Sequence, residues 1–123
     1  MCYYNLMKVP VKGKSMEPFL KEGDIVEVVP KKFYFFGDVL LFFNFFGKVW
    51  CHRFIGISFK DGNVYFHLKG DNSDKKEAVP KSNIIGKVIS ITRNGSLLKI
   101  KRTKNFYLWI KSLWRILKVK LES

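Results

Sequence analysis

The sequence predicts a mainly β domain followed by one helix, and three observations carry that prediction. Short runs of β-branched and aromatic residues recur along most of the chain. The turn pairs Gly23-Asp24, Gly37-Asp38, Asp61-Gly62 and Asn94-Gly95 separate them. Short strands punctuated every ~8–12 residues make a sandwich, a barrel or a coiled sheet. Beyond Asn105 the apolar period lengthens from that of a strand to that of a helix. We therefore expect a coiled antiparallel sheet or partly open barrel over residues 1–104 and an amphipathic helix over 105–123. A chain of 123 residues, 47% hydrophobic and 16% aromatic, suffices for one domain with a real core.

Leu6 to Lys12 alternates loosely and holds Pro10, which cannot donate to a ladder, so it reads as an edge strand. Pro18 and Gly23-Asp24 bracket a turn or short helical piece over Glu17 to Lys21. Ile25 to Val29 is a β-branched strand stopped by Pro30. Lys31 to Phe36 is a loop whose aromatics Phe33, Tyr34, Phe35 and Phe36 either cover one end of the core or contact a substrate or membrane. Gly37-Asp38 opens the strand Val39 to Phe43, repeating the pattern of Gly23-Asp24. Asn44 to Gly47 is a hairpin tip, Lys48 to Ser58 returns as a long strand, and Asp61-Gly62 turns it into Asn63 to Lys69. Gly70 to Lys81 is polar and reads as a loop. Ile84 to Thr92 and Ser96 to Arg102 are strands joined by Asn94-Gly95. Asn105 then caps a helix from Phe106 to about Leu121, with an apolar face around Trp109, Leu113, Trp114 and Leu117 and a stripe of Lys111, Arg115 and Lys118.

Lys plus Arg number 23 against 10 Asp plus Glu, a net charge of +13, and no acidic residue occurs from Ala78 to Leu121. Such a balance suits an anionic partner. The helix either packs on the sheet or lies on an anionic bilayer. Residues 105–121 favour the membrane surface, with nucleic acid ranked last among the partners. Cys2 and Cys51 are too few for a disulfide framework and read as free thiols. Met1 to Lys12 lacks the pattern of a signal peptide, and no apolar run approaches the ~18–20 residues of a membrane span. The expected location is cytoplasmic or peripheral to a membrane. No phosphate-binding loop, dinucleotide-binding glycine pattern or metal-ligand cluster occurs, so neither cofactor nor metal is expected.

Chemistry centres on Gly13-Lys14-Ser15-Met16-Glu17-Pro18. By itself a serine in a turn is a turn residue or a helix cap. As a nucleophile it needs a base in hydrogen-bond reach, a group that orients the base, and donors for the oxyanion. The candidate bases are His52 and His67. Strand alternation puts His52 on one face with Trp50 and Phe54, where partial desolvation favours the neutral form. His67 shares a face with Tyr65 and Lys69 that reads as solvated. Cys51 points away from its neighbour His52, so the two cannot act as a pair. Asp71 and Asp74 lie just past the end of the strand expected to pair with that of His52, placed to accept its N–H.

Read together, the serine stretch with Gly23-Asp24, Gly37-Asp38-Val39, Cys51-His52-Arg53-Phe54, Lys69-Gly70-Asp71-Asn72 and Ile85-Gly86-Lys87-Val88 resemble the signal peptidase I and LexA-type peptidase superfamily in order and spacing. The resemblance implies a coiled β peptidase domain with Ser15 as nucleophile. His52 occupies the position of the lysine base of the bacterial main-type enzymes. It is similar in this to the endoplasmic-reticulum and archaeal branch, where a histidine and an aspartate complete the set. Asp71 matches the family's Gly-Asp-Asn turn closely and Asp74 matches its second aspartate loosely, so the choice between them is open. Some members place a hydroxyl two residues ahead of the nucleophile. Here that residue is Gly13, which leaves the oxyanion to backbone N–H groups at Ser15 and Met16.

Two functions follow from the resemblance. One is a serine endopeptidase that removes a leader or signal segment from a peptide or preprotein. The other is a LexA-type module that cuts itself or only binds. The second needs an upstream DNA-binding domain and a lysine base, and twelve residues precede Gly13. The first is the expectation.

Overall fold

The computed structural model describes residues 6–122. The strands are β1 (Met7–Pro10), β2 (Ile25–Val29), β3 (Val39–Phe43), β4 (Val49–Lys60), β5 (Asn63–Lys69), β6 (Lys76–Pro80), β7 (Ile84–Arg93) and β8 (Ser96–Lys99), followed by the helix α1 (Arg102–Glu122). They form one antiparallel sheet in the order β1-β2-β7-β3-β4-β5-β6, with β8 paired to β7. The sheet is open rather than a closed barrel, and β1 and β6 are its ends.

β3 explains how an open sheet buries two cores. Val39 and Leu41 face a cluster with Met16, Leu20, Val26, Val28, Val88 and Ile91. Leu40 and Phe42 face another with Phe54, Phe66, Leu68 and Val79. A strand covered on both sides reads as a continuous apolar run, as β3 does.

The repeated Gly-Asp pairs turn out to be one device used twice. The Asp24 carboxylate accepts the Lys21 N–H at 2.8 Å and that of Asp38 accepts the Phe35 N–H at 2.9 Å. Each closes the turn that feeds the next strand, as short carboxylate side chains do. Asp24 also takes both arms of Arg93 from β7, at 3.0 and 2.7 Å. The hydrogen bond from Arg93 holds the Asp24 carboxyl below its usual range, helped by the Lys21 N–H and opposed by burial. The stabilisation is therefore complete above the ordinary carboxylate range and is lost as pH falls through the lowered folded value. Asp24→Asn is expected to cost ~1–3 kcal/mol at neutral pH. In urea melts, its deficit against the parent shrinks in acid.

Three expectations need correction. Gly70 to Lys81 is not all loop, because Lys76–Pro80 forms β6, paired to β5 from Lys69↔Lys76 to Tyr65↔Pro80. Its charges and proline masked it, since only Val79 of this edge strand is buried. The last strand stops at Lys99. The helix starts at Arg102, so Asn105 is no cap. Asn105 lies inside the helix, buried, and its Oδ1 accepts from Arg53 Nη1 at 3.0 Å.

The helix seats on the aromatic loop and on β4. Phe36 stacks on Trp109 with centroids 5.5 Å apart, and Tyr34 meets Phe66 edge-on. Phe33 stays exposed. Gly37, at φ +100°, is where the helix backbone comes closest: a Cβ there would stand 2.6 Å from the Asn105 carbonyl oxygen. A bulge at Ile55 frees its carbonyl from the ladder, and Trp109 Nε1 donates to it at 3.0 Å. No helix among the described residues is long and apolar enough to cross a membrane.

Candidate active site

Ser15 stands in an exposed turn fastened to the core by its neighbour. The Met16 side chain is 3% exposed and packs with Leu20 and Val26, which pins the turn to the core beneath the cleft. A second turn, Gly70 to Asn72, lies directly against the first. The Asn72 N–H donates to the Ser15 carbonyl at 2.8 Å and its Nδ2 to the Lys14 carbonyl at 3.1 Å. The Asp71 N–H points at Met16 Sδ, 3.3 Å away. Gly70 is required by this approach, because a Cβ would stand 2.5 Å from the Ser15 carbonyl oxygen.

β4 delivers the base. His52 pairs with Leu40 of β3 and is 7% exposed, with the rings of Trp50 and Phe42 at 5.3 and 5.7 Å. Its Nε2 lies 3.1 Å from Ser15 Oγ. Loss of water pushes the imidazole down to about 4; the Asp71 charge opposes that fall and Lys69 adds to it. The ring is therefore neutral at ordinary pH and able to accept a proton.

Neither aspartate completes the set by contact. Asp71 gives both carboxylate oxygens to Arg53, at 2.8 Å each, on the face of β4 opposite His52. Asp74 pairs with Arg115 of the helix. Instead, Glu77 of β6 brings Oε1 to 3.2 Å from His52 Nδ1. Both atoms are buried and neither makes a hydrogen bond, to the other or to any other described group, and burial raises the Glu77 carboxyl. A carboxylate facing Nδ1 selects the tautomer with the proton there, which leaves the Nε2 lone pair toward Ser15.

Glu77 was missed because its strand was missed. The available signal was its position as the last acidic residue before the acid-free stretch that begins at Ala78. His67 is half-buried, 2.8 Å from Ser58 Oγ and 3.3 Å from Lys76 Nζ. Its face is not solvated throughout, since Lys69 is 1% exposed and donates to the Gly70 carbonyl at 3.1 Å. Cys51 is a free thiol that burial pushes up to about 12, so it is no nucleophile. Cys2 lies outside the described residues.

A cleft of about 680 Å³ opens over the Ser15–His52 pair, with Val9 and Pro10 of β1 and the following Val11 and Lys12 along one wall. Val11, Leu20, Leu41 and Cys51 contribute apolar lining, and Lys12, Lys14, Lys48, Lys75 and Lys76 lie around it. Glu77 is its one acidic residue among the described positions. No hydrogen bond among the described residues engages the backbone N–H of Ser15 or Met16.

No curated protein matches the chain. The family model described as Peptidase S24-like matches residues 4–89, a span that holds the serine turn, the β4 histidine and the Glu77 strand alike. On that match the chain belongs to the Peptidase S24-like family, within the superfamily of LexA and signal peptidase I.

Proposed function

We propose that the chain is a serine endopeptidase of the signal-peptidase type that removes a leader or signal segment, with Ser15 as nucleophile, His52 as base and Glu77 orienting the base. The observation that carries this reading is the 3.1 Å approach of Ser15 Oγ to a buried, neutral His52. The histidine in the base position aligns it with the Ser-His branch of the superfamily.

Ser15 Oγ attacks the scissile carbonyl carbon while its proton passes to His52 Nε2. The carbonyl oxygen, now negative, receives the N–H groups of Ser15 and Met16. His52 returns the proton to the departing amine, which breaks the C–N bond and leaves an acyl ester on Ser15. Water, deprotonated by the same ring, then hydrolyses the ester. Burial makes the imidazolium costly, and the Glu77 carboxylate offsets that cost at each transfer. The substrate lies extended along the free edge of β1, adding a strand to it. The residue before the cut is small.

The test is incubation with extended peptides carrying small residues at the cut, with products mapped by mass spectrometry. Glu77→Gln is expected to lower kcat by ~10²–10⁴ while Asp74→Asn leaves it within a few-fold. Full turnover by Glu77→Gln would remove Glu77 from the mechanism. Absence of cleavage by the parent across the peptide set would overturn the peptidase reading.

A further inference from the structure

A second and larger hollow lies on the other side of the serine turn. It measures about 1270 Å³ and runs between α1 and β8, with Glu17 to Phe19 and Asp71 to Asn72 at one end. Those are the two turns that hold Ser15, so the hollow and the catalytic cleft are separated by one turn of chain.

The helix presents two faces. Asn105, Trp109 and Ser112 point to the sheet, where Asn105 and Ser112 are buried and Trp109 is bonded to β4. The flank toward the hollow is not covered. Tyr107, Trp114, Leu117 and Leu121 line it and are 58%, 65%, 46% and 77% exposed. With Ile110, which is half-buried and does not itself line the hollow, they fall at 107, 110, 114, 117 and 121, the alternating three- and four-residue spacing of a coiled-coil seam. Lys104, Lys111 and Lys118 recur every seven residues, on one stripe beside the seam. They occupy the position where partner charge is read. All three are exposed and line the hollow, and none has a carboxylate partner among the described residues. Lys99 and Lys101 continue the positive rim at the β8 side.

A concave apolar seam bordered by lysines calls for a helix that is apolar on one face and acidic beside it. A second copy of this chain is the wrong occupant, because it would set lysine stripe against lysine stripe on a protein of net charge +13. A bilayer surface meets the cations but is flat and leaves the hollow unfilled.

We propose that this hollow is a docking groove for an acidic amphipathic helix, supplied by the same peptide that is cut at Ser15. The link to the cut peptide rests on the peptidase reading; the groove itself does not. Docking beside the serine turn converts capture of the scissile segment into an intramolecular step and raises its local concentration.

The probe is a fluorescein-labelled three-heptad peptide with Leu at its seam and Glu beside it, titrated by anisotropy into the full chain carrying Ser15→Ala. Lys104→Glu, Lys111→Glu and Lys118→Glu together should weaken binding ~tenfold or more, and Trp114→Ala should weaken it comparably. A control with the same charge change at Lys31, Lys32 and Lys60, all outside the groove, should stay within about threefold. Equal loss in the two triple variants would overturn the proposal, as would equal binding of a scrambled peptide. Binding to phosphatidylglycerol vesicles with none to the peptide would transfer the surface to a membrane and overturn it too. Fusing the helix to a cleavable segment should raise kcat/KM for the active chain and not for the lysine variant. An unchanged kcat/KM with cleavage intact would refute the link between groove and substrate. Intact helix binding with no cleavage of any fusion would refute the peptidase reading and leave the groove standing.

Discussion

Ser15→Ala and His52→Ala are each expected to lower peptide turnover by ~10⁴-fold or more, with the double variant no worse than either single one. The hydroxyl and the imidazole act as a unit at 3.1 Å, so removing either leaves the other without work. Ser15→Ala should keep the parent's melting curve. Ser15 is exposed and can be truncated freely, whereas His52→Ala leaves the buried Glu77 oxygen without its facing imidazole, so that variant should melt somewhat below the parent while remaining folded. The pH profile is a sharper test. Burial lowers His52 to about 4, and the base form exists above that value. The acid limb of kcat/KM should therefore fall near pH 4 rather than at the ordinary value of ~6.5. An acid limb at the ordinary position would mean that water reaches the ring in solution.

Replacing Arg53 is expected to be the most damaging change to stability. Its side chain has no exposure, and its guanidinium serves Asp71 twice, the Gly37 carbonyl at 2.6 Å and Asn105 at 3.0 Å, with Phe19 under its plane. Arg53→Met strands a nearly buried carboxylate and removes one of the ties between helix and sheet, at a cost of ~3–5 kcal/mol. Adding Asp71→Leu should recover part of the loss, because a buried ion pair exchanged for apolar contact is often neutral. The measurement is the urea midpoint of parent, single and double variants. No recovery in the double variant would show that the Gly37 and Asn105 bonds dominate. Turnover should fall as well, since the Asp71 turn braces Ser15.

The strands carrying apolar alternation and glycine turns were legible, because local pattern and tertiary burial agree there. β2 and β3 match their expected bounds, and the choice of His52 over His67 followed from alternation alone. What escaped was decided by distant partners. β6 has one buried residue, so its pairing to β5 leaves almost no apolar trace, and Glu77 was hidden with it. Asp71 sits where a catalytic acid was expected, but Arg53 claims it from the opposite face. Asn105 has the chemistry of a cap, and only the buried guanidinium above it explains its use inside the helix.

The adjacency of His52 and Arg53 has a consequence for how this chain tolerates change. One residue serves the cleft and the next serves the helix, on opposite sides of a single strand. Deleting one residue between Val49 and Cys51 would slip the register against β3 and exchange the two sides. The guanidinium would then enter the cleft and the imidazole would face the helix. Length variation should accordingly be tolerated at the Asp61-Gly62 turn, beyond the bulge and far from both side chains, and be lethal to the fold and the chemistry alike in the first turns of β4.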